Sequence, residues 1–254
     1  MIINVHAGHS LVCRGASALI DEVTEDRKVK NTVIALLRTA GHTVYDCTDD
    51  TGKDQSANLT SIVKKCNAHK VDLDVSIHFN ACVNDLRGDG KTTGTEVHIY
   101  SANGGAKAYA ENVCKAISQA TGLKNRGVWV SPGLYVLRKT LAPAMLIECC
   151  FVDDADDVKV YNADVVAKAI VKGIVGFVPN QSTNNNTSSN ISYYQRYTGK
   201  STSIVDALQS LKIDSTFNSR SKIAVKNGIS NYKGTAEQNT KMLRLLKEGQ
   251  LIKA

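Results

Sequence analysis

Apolar and polar positions follow two alternating periods along the first 180 residues. Short runs rich in β-branched and aromatic residues lie at 1–6, 42–47, 72–78, 95–101, 134–138 and 144–151, and this predicts strands. Between them, at about 22–40, 56–69, 104–121 and 162–177, apolar residues recur at helical spacing. In the first of these, Val29, Val33, Leu36 and Leu37 share one face, and Gly41 is a stop. Such alternation predicts an α/β domain: an open, mostly parallel or mixed twisted sheet flanked by helices, with right-handed crossovers as the default.

The pattern breaks at 180–192, NQSTNNNTSSNIS, a polar tract without apolar periodicity that reads as a flexible linker. Periodicity resumes in 193–254. Ile204, Ala207, Leu208 and Leu211 form one short amphipathic set, Ile223, Ala224 and Val225 a second, and Met242, Leu243, Leu245 and Leu246 a third, with Gly228 and Gly249 as helix stops. The expected organisation is therefore a domain at 1–179, the linker at 180–192, and a small, mainly helical carboxyl-terminal module at 193–254.

Charge separates the two parts. Residues 181–254 carry 11 Lys and Arg against 4 Asp and Glu, which accounts for the whole net charge of +7. A basic module is drawn to a polyanion: nucleic acid, an anionic membrane or an anionic cell wall. It lacks the basic stripe interleaved with aromatics that nucleic-acid binding favours. No run approaches the roughly 18 apolar residues of a membrane span. The amino terminus shows no basic stretch leading into an apolar one, so no signal peptide is expected and synthesis in the cytosol is. The seven cysteines are odd in number and form no C-x-x-C pair, which argues against a disulfide framework. Cys149 and Cys150, inside an apolar run, read as packing residues.

Chemistry-bearing residues gather at strand ends, where open α/β sheets build their sites. His9 follows the first strand in a Gly-His turn, His78 lies at the end of VDLDVSIH, and Glu148 is carried out of the apolar run PAMLIECCF. Two imidazoles and a third ligand would suit a catalytic zinc with one open position. Glu22 and Glu25, in the first turn of the first helix, both have the reach to be that third ligand. Glu148, desolvated by its surroundings, suits a general acid/base. His6, His42, His69 and His98 read as structural, with His6 the strongest rival ligand.

Four segments carry a family resemblance: AGHS at 7–10, the acidic helix start at 21–26, SIHFNA at 76–81 and APAMLIECCFVDD at 142–154. In this order they resemble the zinc-dependent N-acetylmuramoyl-L-alanine amidases of the amidase-3 type, and most of all the endolysins of clostridial and related phages. The opening His6-Ala7-Gly8-His9-Ser10 departs from the commoner Asp-Pro-Gly-His-Gly, keeping the ligand and altering the pocket wall. The resemblance covers about residues 1–178. It implies one zinc ion held by His9, Glu22 and His78, with Glu25 as rival ligand and Glu148 as catalytic acid/base. Glu22 is favoured by its place ahead of Gly41. The implied reaction is hydrolysis of the amide between N-acetylmuramic acid and the L-alanine of the stem peptide. The implied partners are peptidoglycan and, through 193–254, anionic wall polymers, with no nucleic acid, no membrane span and a monomer favoured. A phage enzyme of this kind would be made in the host cytoplasm and reach the wall after release. The competing readings are a host autolysin of the same chemistry, a zinc peptidase acting on stem peptides, and a non-catalytic wall-binding protein.

Overall fold

The computed structural model describes residues 1–179, 193–229 and 232–253. The linker tract 180–192 lies outside the described residues. Two compact units are found, Met1–Gln181 and Ser182–Ala254.

The first unit is built on a six-stranded sheet of order β2-β1-β3-β6-β4-β5. Its strands are β1 (Ile2–Ala7), β2 (Thr43–Asp46), β3 (Leu73–Asn80), β4 (Thr95–Ile99), β5 (Asn125–Val130) and β6 (Ala144–Phe151). Strands β1, β2, β3 and β6 run parallel. β4 runs antiparallel to β6, and β5 follows β4. The sheet is therefore mixed, with two strands entering from the opposite end. Connecting helices are α1 (Glu22–Thr39), α2 (Gln55–Cys66), α3 (Lys107–Thr121), α4 (Tyr135–Lys139), α5 (Ala155–Val160) and α6 (Ala163–Val175).

Local chemistry sets the helix bounds. The Asp21 carboxylate accepts the Thr24 N–H at 2.9 Å and caps α1, whose first turn carries Glu22 and Glu25 at the positive end of the helix dipole. Val29, Val33, Leu36 and Leu37 are buried, and Gly41 closes the turn at φ +84°, a conformation that favours glycine. Asn162 caps α6 through the N–H groups of Asp164 and Val165. α6 crosses α3 closely, because a β-carbon at Gly173 would collide with the Val113 backbone.

Strand register sorts side chains to two faces. Ile3, Val5, Val75, Ile77, Val97, Ile99, Met145 and Ile147 belong to the main buried apolar cluster with α1, α3 and α6. The opposite face carries Asn4, His6, Asp74, Ser76, His78, Leu146, Glu148, Glu96, His98 and Trp129, which follow one another in register from β1 to β5. Part of it is roofed by α2 and α4, through a smaller cluster of Ile62, Cys66, Val136, Leu137, Ala144 and Leu146.

One predicted strand is a helix. Residues 134–138 fall in the turn before α4 and in α4 itself, which buries Val136 and Leu137 side by side. An apolar run that short has no periodicity to separate strand from helix. The strand of this region is β5, NRGVWV, where Gly127 at φ +86° and a register shift interrupt the alternation that would have marked it. All seven cysteines are free; Cys47, Cys66, Cys114, Cys149 and Cys150 are buried, Cys13 is half-buried and Cys82 is exposed.

The second unit contains α7 (Ile204–Ser210), α8 (Phe217–Lys226) and α9 (Ala236–Glu248) around Ile204, Leu208, Ile223, Met242, Leu246 and Leu251. Thr235 and Gln238 form a reciprocal capping box at the start of α9, and Gly249 ends it in the left-handed region.

Candidate metal centre

β1 ends at Ala7, and the chain turns so tightly through Gly8 that a β-carbon there would collide with the His78 ring. His9 then adopts φ +53°. For a residue with a side chain this conformation costs about 1–2 kcal/mol, so the surroundings must hold it. The His9 carbonyl accepts hydrogen bonds from Arg27 Nη2 at 3.2 Å and Asn58 Nδ2 at 3.0 Å. Arg27 Nη1 also reaches the Gly8 carbonyl at 3.0 Å, and Arg27 Nε and Nη2 bind Asp50 Oδ1 at 2.9 and 2.7 Å. Asn58 donates as well to the Asp49 carbonyl and carboxylate. The turn that presents His9 is thus clamped by α1, α2 and the 49–50 loop.

Glu22 opens α1 beside this turn and is almost fully buried. Its Oε1 lies 3.0 Å from His78 Nδ1 and accepts the Phe79 N–H at 3.1 Å. Its Oε2 lies 3.2 Å from His9 Nε2 and accepts the Ala16 N–H at 2.8 Å. Burial opposes ionisation, but the hydrogen bonds to His78 and His9 outweigh it and hold the carboxyl well below the usual range. The two imidazole rings meet edge to face with centroids 5.2 Å apart. Ligand atoms of His9, Glu22 and His78 all lie within 4.8 Å of one another. Gly15 completes the cradle, because a β-carbon there would collide with Glu22 Oε2 and the His9 ring. Two imidazole nitrogens and an ionised carboxylate on one spot are a donor set suited to a divalent metal.

Glu25 stands outside this cluster. Its Oε1 pairs with Lys28 Nζ at 2.7 Å and its Oε2 accepts the Tyr161 hydroxyl at 3.0 Å. His6 lies under the site with Nδ1 3.5 Å from Ser76 Oγ; burial, with His78 nearby, lowers its pKa to about 3 and keeps it neutral.

Glu148 sits within β6 rather than at its end. It is in register with His78 on β3 and with Glu96 on β4, so all three side chains stand on the same side. Its Oε2 is sealed from solvent and has no hydrogen-bond partner. Burial, reinforced by the charges of Glu22 and Glu96, pushes its pKa well above the ordinary carboxyl range. A cavity of about 300 Å³ adjoins the centre, with His9 and His78 at one end and Leu59, Ile62, Val136 and Leu146 on its apolar walls.

Sequence reasoning missed a polar network beside Glu148. Glu96 Oε1 accepts Asn80 Nδ2 at 2.9 Å and lies 3.2 Å from His98 Nε2, while its Oε2 accepts Arg126 Nε at 2.6 Å. Glu96 and Arg126 come from the starts of β4 and β5, which the reversed direction of these strands brings to the site. The signal available was the T-E-V-H alternation at 95–98, which places Glu96 and His98 on one face. A second acidic group, Asp85, Asp154 and Asp156, serves the loops. Its oxygens accept N–H groups of Gly88, Gly90, Thr93, Asp156 and Asp157.

The family described as N-acetylmuramoyl-L-alanine amidase matches residues 3–180. An uncharacterized protein, CPE1502, of Clostridium perfringens (strain 13 / Type A) is 38% identical over 177 residues, which is 68% of this chain and 51% of that one. The chain spans about half the length of the curated relatives first found. Among solved structures, the catalytic domain of the CD27L endolysin targeting Clostridia difficile is 27% identical, with a TM-score of 0.61 over 70% of this chain and 98% of that one. The amidase AmiC2 of Nostoc punctiforme is 26% identical, with a TM-score of 0.60 over 69% of this chain and 96% of that one.

Proposed function

We propose, for a chain that belongs to the N-acetylmuramoyl-L-alanine amidase family, that it hydrolyses the amide between N-acetylmuramic acid and the L-alanine of the peptidoglycan stem. His9, Glu22 and His78 hold one zinc ion, and Glu148 is the acid/base. The observation that carries this reading is the convergence of the three ligand side chains within 4.8 Å, with Glu148 in register beside His78.

The bound ion would supply Lewis-acid polarisation of the scissile carbonyl. The protein's own residues do the rest. Glu22, fixed by the Ala16 and Phe79 N–H groups, presents its charge in one orientation. Glu148, in register beside His78, is placed to take a proton from the attacking water and return it to the departing amine nitrogen of L-alanine. The cavity beside the centre offers the substrate an apolar wall of Leu59, Ile62, Val136 and Leu146.

Residues 1–179 form the catalytic domain and 193–254 a cell-wall-binding module, whose positive charge suits the anionic polymers of a wall. Likeness to an endolysin catalytic domain supports a lytic, phage-type use of this chemistry.

The test is turbidity loss of purified cell walls, with assignment of the released amino terminus. New L-alanine amino termini, lost on chelation and restored by zinc, are expected. Any other new terminus, or lysis indifferent to chelator, rejects the reading.

A further inference from the structure

We infer that the polar face beyond Glu148, from Glu96 and His98 on β4 to Trp129 on β5, binds the glycan strand of peptidoglycan, with the Trp129 indole as its stacking platform. This rests on the amidase reading and extends it to the substrate's sugar chain.

Trp129 is the chain's single tryptophan and remains 51% exposed. An isolated exposed apolar residue is ordinary on a protein surface, so its position must decide. His98 pairs in register with Trp129 on one side and with Leu146 on the other, and Glu96 pairs with Glu148. Paired residues share a face, which puts Glu148, Glu96, His98 and Trp129 on the same side of the sheet. Two strand spacings and one two-residue step separate Trp129 from Glu148, about 10 Å across the sheet and about 7 Å along it. That is within a disaccharide's reach of the bond to be cut. The neighbouring Val128 packs against the main core on the other face. β5 therefore has a buried side available and turns its largest side chain away from it.

The chemistry of this strip matches a sugar. Pyranose rings present an apolar C–H face and a rim of hydroxyls. The indole offers a flat apolar surface for the first. His98, Ser131 and Arg126 offer hydrogen-bonding groups for the second, with His98 Nδ1 2.8 Å from Ser131 Oγ and Arg126 held in place by the buried Glu96. A stem peptide has no such flat apolar face. The substrate glycan is a polymer and continues past the muramic acid whose amide is cut, so its neighbouring sugars must lie against some surface beside the centre.

The single tryptophan makes the test direct on the full-length chain. Peptide-free glycan strands are titrated while indole emission is excited selectively over tyrosine, which keeps binding at the second unit silent. A saturable change in emission is expected. On whole walls, Trp129→Ala should raise KM about three- to tenfold over wild type, with Trp129→Tyr restoring most of it. Emission unmoved by glycan strands, an equal change with stem peptide alone, or an unchanged KM for Trp129→Ala overturns the inference. Failure of the amidase reading shows separately, as absence of L-alanine amino termini from wild-type digests.

Discussion

The two faces of the sheet are made by the same strands and do opposite work. On the face under α1, α3 and α6, Val5, Val75, Ile77, Val97, Met145 and Ile147 are wholly buried in an apolar cluster. One residue along each strand, the other face presents Asn4, His6, Asp74, His78, Glu96 and Glu148. The period of two lets a strand anchor itself on one side and hold chemistry on the other. The cost falls on the polar side, where Glu148 Oε2 and Asp74 Oδ2 are buried without partners. The dry face supplies the stability that tolerates them.

The largest expected break in that symmetry is Glu148→Gln. Wall hydrolysis should fall about 100- to 10,000-fold, while thermal unfolding shows a protein at least as stable as wild type. Lost activity with lost stability would place Glu148 in the scaffold instead. The mirror experiment is Ile147→Ala, one residue away on the dry face. It should destabilise by about 2–5 kcal/mol in urea unfolding, and activity per folded molecule should survive.

Asp74 sharpens the comparison through pH. Burial raises its pKa to about 6, despite the hydrogen bond from Asn4 Nδ2 at 2.6 Å. Because the folded value lies above the unfolded one, the stability linked to this proton is complete below about pH 4 and is lost as pH rises through about 6. Asp74→Asn should remove that loss and make the protein more stable at pH 7 by up to about 3 kcal/mol. The check is urea unfolding of both proteins at pH 4 and pH 7; a difference that does not grow with pH contradicts the assignment. A smaller effect is expected at Arg27→Met, which frees the His9 turn. Zinc affinity should weaken about 10- to 100-fold, read by competition with a chromophoric chelator. Arg14→Met is the control, since Arg14 binds Asp21 and Thr24 and makes no hydrogen bond to His9.

Much of this was legible along the chain. The strand ends at His9 and His78, the acidic start of α1 and the apolar run around Glu148 each carry a local signal: period, cap or turn. For Glu96 the alternation at 95–98 shows only the face it shares with His98; that Glu96 and Arg126 reach the site depends on the direction of β4 and β5, which is a tertiary property. Arg27 and Asn58 read as ordinary polar helix residues until the fold carries them to the His9 carbonyl. Gly15 has no conformational signature and matters only through what would collide with it. The exchange of strand and helix around residues 125–139 has the same origin. Gly127 masks a real strand, and a short apolar run imitates one.

The distribution of thiols has a practical corollary. Five sulfurs are sealed inside the first unit, and burial drives the Cys149 and Cys150 thiols far from their reactive thiolate form. Cys82 alone is exposed, and Cys13 is half-buried. In an aerated medium two molecules therefore have one ready point of covalent linkage, so oxidation is expected to stop at a pair and not grow into a network.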